Sequence, residues 1–428
     1  MVPARPPVSP RLPAEACGFI RAAPPGLPTE TMPAKSAIPF LLLLAFAAPA
    51  PRLAAAAPGA PWSIELRYGR DEIFLSVLAS VTEACPFPAQ LPGPAQLGDP
   101  AGLIAAQLTA PRDDCPVTVT LGATVLSDRT AVTVRLPVKG QTYRVAPWLH
   151  LDHARLLQIR QPIAGEPLTM QVTLDGVTET QTREVRIHAI NDCLTSVFHA
   201  GRIYEVGFLA AAYVNEYNPD LFLTITRHAL DHGYVQSFDG YESGDPAAVT
   251  RQVEAIYRSL HDLGFKYSAL TQSSVATTAA GTQWIRFAGD TLTSDQANCV
   301  DGSVLFAAIL ARLNLRVVIF YIPYHHTFLG VYRTEHMGEE EGFDVVETTV
   351  VDAKPFRESL ALGAARLAKE RANPDNRELR VINGPAASPL YSWDPKNPGK
   401  TAVFFNIDVA ASRVRGILPI AETARESN

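Results

Sequence analysis

The sequence predicts an α+β chain: an all-β, sandwich-like region over residues 62–190, then a mixed helix-and-sheet domain over residues 200–420. Three patterns carry that expectation. Strict apolar–polar alternation marks Val117–Leu121, Ala131–Leu136, Thr169–Leu174 and Glu184–His188. A period of two sends successive side chains to opposite faces, so these segments read as half-buried strands. From Gly201 to Leu315, helical spacing of the apolar residues replaces the alternation. Beyond Leu315, β-branched and aromatic runs return and predict a second sheet.

Residues 1–57 read as a leader. Residues 1–31 are rich in Pro, Ala and Gly without periodicity, and Met32 is an alternative start. Met32–Ala37 carries one Lys, an apolar core occupies residues 38–50, and Ala54–Ala57 supplies small residues. That succession is the plan of a secretory signal peptide. The apolar run falls short of the roughly 20 residues that span a bilayer. An exported protein, periplasmic or secreted, with no membrane span after leader cleavage is expected. Pro58–Pro61 is a short linker.

In the first region the turn signals Ser127-Asp128, Lys139-Gly140 and Asp175-Gly176 separate the strands, as in an antiparallel sandwich. Asn191-Asp192-Cys193 marks the change of character. Helices are expected over Tyr204–Tyr217, stopping before Asn218-Pro219, and over Asp220–His232. Pro246–Leu263 predicts a third, with Val249, Val253, Ile256, Leu260 and Leu263 on one face and Gly264 as its stop.

A hydrophobic fraction of 47% over 428 residues is enough for two cores. The net charge of −6, with no basic run, gives no reason to expect a nucleic-acid partner. Of five cysteines, Cys17 lies upstream of the leader's core. Export permits disulfides, and Cys85 with Cys115, bracketing a Pro- and Gly-rich stretch, is the expected pair. Cys193 and Cys299 remain, and a bridge between those two would silence both.

Cys299 draws attention through its setting. Ser294–Asn298 is polar, and Cys299–Leu313 is an almost wholly apolar helix that must be buried. Cys299 falls in its first turn, where backbone N–H groups and the helix dipole favour a thiolate. Asp301 opposes this by charge and reads as a helix-start residue.

Three strands follow: Leu315–Ile322, His326–Tyr332 and Phe343–Thr349, with Pro323-Tyr324 as a turn and Glu339–Glu341 in a loop. If the last two form a hairpin with His326 facing Glu347, the two lie about 5 Å apart at Cβ. A slip of one residue would put them on opposite faces. A carboxylate so placed fixes the imidazole and stabilises its protonated form. His325 competes with His326 for the role of base, and Asp344 and Asp352 compete with Glu347. Gln283 is a candidate oxyanion donor upstream. His228, His232 and His261 lie in helical patterns and read as surface residues. A metal site from Cys299, His325, His326 and Glu347 is disfavoured, because adjacent strand residues point to opposite faces. No metal or cofactor is expected.

Ala297-Asn298-Cys299, His326-Thr327-Phe328 and Glu347-Thr348-Thr349, in that order and 27 and 21 residues apart, resemble the motifs of the transglutaminase-like superfamily. Its members often read Gly-x-Cys, His-Ala-Trp or His-Ala-Phe, and Asp-x-Thr. The chain is more specifically similar to bacterial members with an Asn-Cys-(Val/Ile)-Asp helix start and a Glu-Thr-Thr or Asp-Thr-Thr end. Phe405–Pro419 also resembles a closing segment of those proteins, so the likeness covers residues 200–420. It implies a papain-like domain: a helix with an N-terminal Cys packed on an antiparallel sheet. It further implies Cys299 as nucleophile, His326 as base, Glu347 as orienting acid, and a protein or peptide substrate cleaved through a thioester. Ala297 for Gly and Glu347 for Asp depart from the pattern. A domain that has lost catalysis and serves as an exported binding module is the alternative.

Overall fold

The computed structural model describes residues 61–68, 71–85, 93–268, 280–323, 325–335, 342–381, 391–393 and 402–420. The expected leader and the Glu339–Glu341 loop lie outside the described residues. The first region holds strands β1 (Trp62–Leu66), β2 (Glu72–Phe74), β3 (Ala95–Gly98), β4 (Ile104–Thr109), β5 (Cys115–Leu121), β6 (Thr130–Leu136), β7 (Thr142–Ala146), β8 (Ile163–Leu174) and β9 (Val177–His188). Two short helices, α1 (Leu75–Ser80) and α2 (His153–Gln158), accompany them.

These strands form two sheets, ordered β1-β4-β7-β3 and β2-β9-β8-β5-β6. Their apolar faces share one core. Ile64, Ala106 and Val145 line up across one sheet, and Val132, Val119 and Val172 across the other. The opposite face of the second carries cross-strand threonine pairs, Thr118–Thr133 at 2.9 Å and Thr169–Thr182 at 3.0 Å. The alternation in sequence is this division into wet and dry faces. The strictly antiparallel expectation needs correcting, because β2 runs parallel to β9 and β3 parallel to β7. Both are short strands joined to their neighbours by long connections rather than hairpins, which leaves either direction open to them.

The expected Cys85–Cys115 bridge is also corrected: no disulfide joins them. Cys115 faces the core from β5, opposite Leu136 and in the field of Arg112. Cys85 lies beside Gly416, in the fields of Tyr68 and Arg415. The two thiols occupy different parts of the fold. Each is buried, as small apolar groups are.

The second region contains β10 (Asp192–His199), β11 (Arg202–Glu205), α3 (Pro219–Asp231), α4 (Pro246–Asp262), β12 (Lys266–Tyr267), β13 (Ala280–Trp284) and α5 (Ala288–Ser294). After these come β14 (Gln296–Ala297), α6 (Cys299–Arg312), β15 (Val317–Ile322), β16 (His326–Tyr332), β17 (Phe343–Val346) and α7 (Phe356–Ala372). The remainder is β18 (Asn376–Val381), β19 (Ser392–Trp393), β20 (Ala402–Asp408) and α8 (Val409–Val414). The principal sheet runs β17-β16-β15-β20-β18, and β13-β10-β11-β19 form another. The principal sheet is antiparallel except for β18, which joins β20 in parallel.

The helix expected over Tyr204–Tyr217 is not formed. Arg202–Glu205 is strand β11, and Gly207–Tyr213 is a 3-10 helix. The cause lies just upstream. His199 pairs with Arg202, so Ala200 and Gly201 make a two-residue hairpin loop with both φ angles positive, 48° and 78°. A loop of that geometry turns the chain straight back into a second strand. Gly207 then passes against the rings of Tyr321 and Phe405, where an added Cβ would sit 2.7 and 2.8 Å from ring atoms.

Helix α6 is the element around which the second region is built. Every residue from Cys299 to Leu310 is buried. Strands β15 and β16 pack against it, as do α3 and α5. Helix α7 packs on β17 through Gly363, where an added Cβ would lie 2.3 Å from the Val345 carbonyl oxygen. Residues 416–420 bind back to the start of the described chain. Thr82 donates from both its amide (2.9 Å) and its hydroxyl (3.1 Å) to the Gly416 carbonyl, and Leu418 N–H donates to Ser80 (2.8 Å). Among the described residues, no helix is long and apolar enough to cross a membrane.

Gly363 yields a prediction of sign. In a helix interior, Gly→Ala ordinarily stabilises by about 1 kcal/mol. Here the new methyl meets a backbone carbonyl, so Gly363→Ala should destabilise by about 1–3 kcal/mol. Urea denaturation should show a lower midpoint at unchanged slope. A raised midpoint would contradict the close approach of α7 to β17.

Candidate active site

The start of α6 is fixed by a reciprocal cap. Asn298, extended at φ −82° and ψ −177°, accepts through Oδ1 from the amides of Val300 and Asp301, each at 2.9 Å. Asp301 answers with Oδ2 toward the Asn298 amide (3.5 Å). Its Oδ1 accepts from the Arg286 amide at 2.9 Å, which ties the end of β13 to this turn. Burial pushes the Asp301 carboxyl up to about 6, against the pull of the Arg286 amide and charge. Asp301 is therefore the helix-start residue that the sequence indicated. Two first-turn amides, those of Val300 and Asp301, are thus taken up by the Asn298 cap.

His326 opens β16, opposite Ile322 and buried. Its Nε2 lies 2.8 Å from Oε2 of Glu347, and its ring stacks near Phe328 with centroids 6.0 Å apart. The expected register is off by two residues. Leu329 faces Val346, so a continuation of the ladder would set Phe328, not His326, level with Glu347. A shift of two preserves the face, where a shift of one would not. His326 and Glu347 thus meet on the diagonal, and the longer reach of Glu than Asp suits that separation.

Glu347 leaves β17 in an extended conformation (φ −85°, ψ 100°) and caps the 3-10 turn Thr348–Val350. Its Oε1 accepts from the Thr349 hydroxyl (2.7 Å) and amide (3.3 Å). Its Oε2 accepts from Arg366 Nε at 3.1 Å as well as facing His326. Burial by itself would raise the carboxyl. The bond and charge of His326, the Thr349 hydroxyl and the charge of Arg366 outweigh it and hold Glu347 below the ordinary glutamate range.

The Cys299 turn touches this corner. Ser303 Oγ donates to the Cys299 carbonyl (2.8 Å) and lies 3.3 Å from Thr348 Oγ1. An added Cβ on Gly302 would come 3.3 Å from the same Thr348 oxygen. Cys299 and His326 are each 6% exposed and Glu347 is 3% exposed, so each of the three is shielded from solvent.

The competing residues are elsewhere. His325 is exposed in the turn, its amide donating to Ile322 at 3.0 Å. Asp344 pairs with Val331 in the ladder and accepts from the Thr250 hydroxyl, and burial raises its carboxyl. Asp352 is exposed. Gln283 is buried in β13 opposite Cys193, and its amide donates to the Trp284 carbonyl at 3.0 Å. That leaves it beside the strand end that reaches Asp301, with its donor turned to its neighbour's backbone. Cys193 is fully buried, its thiol pushed up by burial, and no disulfide links it to Cys299. Among the described residues, no group of three or more His, Cys, Asp or Glu side chains is arranged to hold a metal.

Sequence reasoning missed Arg366, Ser303 and Ser359, whose hydroxyl donates to the Glu347 carbonyl at 3.0 Å. A signal existed for two of them. Ser359, Gly363 and Arg366 are four and three residues apart, one face of α7, with a glycine where a sheet must approach.

No family model matches the chain, and no curated protein matches it significantly.

The two buried carboxylates predict opposite pH effects. Glu347, held low, contributes stability above the ordinary carboxylate range that is lost as pH falls through its folded value. Asp301, held near 6, does the reverse. The unfolded chain ionises it first, so stability falls as pH rises from about 4 to about 6, by about 3 kcal/mol in total. Asp301→Asn should lack that decline. Urea midpoints at pH 4 and pH 7 should therefore drop less in the variant than in the wild type. Equal drops would show that Asp301 ionises normally.

Proposed function

We propose that the chain is a thiol-dependent acyl-transfer enzyme of transglutaminase-like type, hydrolysing peptide, isopeptide or amide bonds through a thioester at Cys299. The observation that carries this reading is the buried 2.8 Å contact of His326 Nε2 with Glu347, whose neighbour Thr348 meets Ser303 of the helix that Cys299 begins. With Nε2 held by the carboxylate, Nδ1 is the ring nitrogen that takes the thiol proton. The thiolate attacks the carbonyl carbon, and the tetrahedral intermediate collapses as the C–N bond breaks. The amine leaves with the proton from the imidazolium. Water then attacks the thioester while His326 takes its proton, and collapse returns that proton to sulfur. Glu347 stays ionised throughout, which its depressed carboxyl supports. Burial excludes bulk water and strengthens each of these interactions. The leader-like residues 32–57 favour extracytoplasmic proteins or peptides as the substrate class.

Iodoacetamide labelling of the reduced, folded protein, mapped by mass spectrometry, tests the reading. Cys299 should alkylate rapidly at pH 7, because a thiolate-stabilising site sets it apart from an ordinary thiol. His326→Ala should slow labelling sharply. Glu347→Gln should slow labelling less but reduce peptide turnover by about 10²–10⁴-fold, since orientation matters most in the transition state. His325→Ala should change neither. A Cys299 that labels as slowly as a buried, inert thiol in the folded wild type would end the enzymatic reading.

A further inference from the structure

We propose that Arg366 is a positioning residue that sets the proton affinity of His326 through the carboxylate oxygen they share. The inference rests on the Cys299–His326–Glu347 reading and deepens it. Two nitrogens converge on one atom, Glu347 Oε2: His326 Nε2 at 2.8 Å and Arg366 Nε at 3.1 Å. The guanidinium and the imidazole ring nitrogen are thereby held within about 6 Å of each other. The carboxylate's other oxygen is occupied by the Thr349 hydroxyl and amide, so Glu347 cannot turn to give each cation its own oxygen.

Electrostatics then fixes the direction. An ionised carboxylate serving one imidazolium stabilises it fully. A permanent guanidinium on the same oxygen offsets part of that stabilisation and repels the second positive charge. Arg366 therefore biases the resting site toward neutral imidazole, a base ready to take a proton, and away from a fixed imidazolium. Geometry supports a dedicated role. Arg366 is placed by α7, which Gly363 lets approach β17 and which Ser359 anchors to the Glu347 carbonyl. Its side chain is 33% exposed while the carboxylate it touches is 3% exposed, so it reaches inward from the surface to the buried acid.

Other ionisable groups around the pair are accounted for. From α6, Asp301 is engaged by Arg286 at 3.7 Å. From α4, Tyr257 senses Glu347, Asp352 and Glu358 and donates to backbone carbonyls of Val350 and Lys354. His325 is turned out to solvent. Among these described groups, Arg366 is the permanent cation that bonds to the Glu347 carboxylate.

The test is an NMR titration of His326 in the full chain with isotope-labelled histidine, its signal assigned by loss in His326→Gln. All samples carry Cys299→Ala, which isolates the histidine from the thiol. Arg366→Leu should raise the His326 midpoint by on the order of one pH unit. Arg366→Lys, which keeps the charge, should recover at least half of that rise. An unchanged midpoint in Arg366→Leu overturns the proposal. So does an equal rise in the Leu and Lys variants, because shape rather than charge would then be responsible. Should Arg366→Leu fail to fold, Arg366→Gln supplies the neutral side chain with the same two outcomes. Failure of the enzymatic reading is distinguishable: slow Cys299 labelling in the wild type, alongside a shifted His326, would remove catalysis and leave the tuning.

Discussion

Helix α6 has no solvent face, and that constraint organises the second region. Twelve consecutive residues, Cys299 to Leu310, are buried, so sheet must cover one side and helices the other. An element enclosed this way can carry polar chemistry only at its ends. At its N-terminus every polar side chain on the first turn has a defined partner: Asn298 with two amides, Asp301 with two more, Ser303 with a carbonyl. Unpaired, each such group would cost on the order of 1–3 kcal/mol. The site is thus a small polar island whose members hold one another in place, and Cys299 sits where the apolar helix meets it.

Two buried carboxylates near that island have opposite fates. Glu347 is surrounded by donors that include a guanidinium and an imidazole, and it stays ionised. Asp301 is bonded to backbone amides, with the Arg286 guanidinium no closer than 3.7 Å, and burial pushes it toward neutrality. Burial is common to both, so the difference comes from how closely positive charge approaches the oxygens: His326 and Arg366 bond directly to Glu347, whereas the Arg286 guanidinium stands 3.7 Å from Asp301.

How much of this could be read from sequence depends on the kind of signal. Strong periodicity was legible: the apolar run after Cys299, the strand opening at His326, and the alternation in β5 and β6. So was the association of His326 with Glu347, although its register was not. Two-residue shifts leave the inside–outside pattern unchanged, so periodicity carries no information about them. The segment 204–217 misled because its run of Leu, Ala and Tyr has high helix propensity, whereas the preceding Ala200-Gly201 loop and the rings around Gly207 decide its shape. Propensity is weak against such tertiary contacts. Arg366 stayed hidden for a simpler reason. A charged residue on a helix looks like any solvated one until the helix is docked.

The return of residues 416–420 to Ser80 and Thr82 has a bearing on how the chain acquires its shape during synthesis. Contacts across 334 positions cannot form until nearly all the intervening chain has been made. Ribosomes add about 5–20 residues per second, so α1 waits on the order of tens of seconds for the strand-like bridge and the three hydrogen bonds that finish its surroundings. The first region must tolerate that interval with Ser80, Thr82 and Cys85 uncovered. Vectorial folding would favour early closure of the two first-region sheets, whose pairings lie within residues 62–188, with the seam to the second region sealed last.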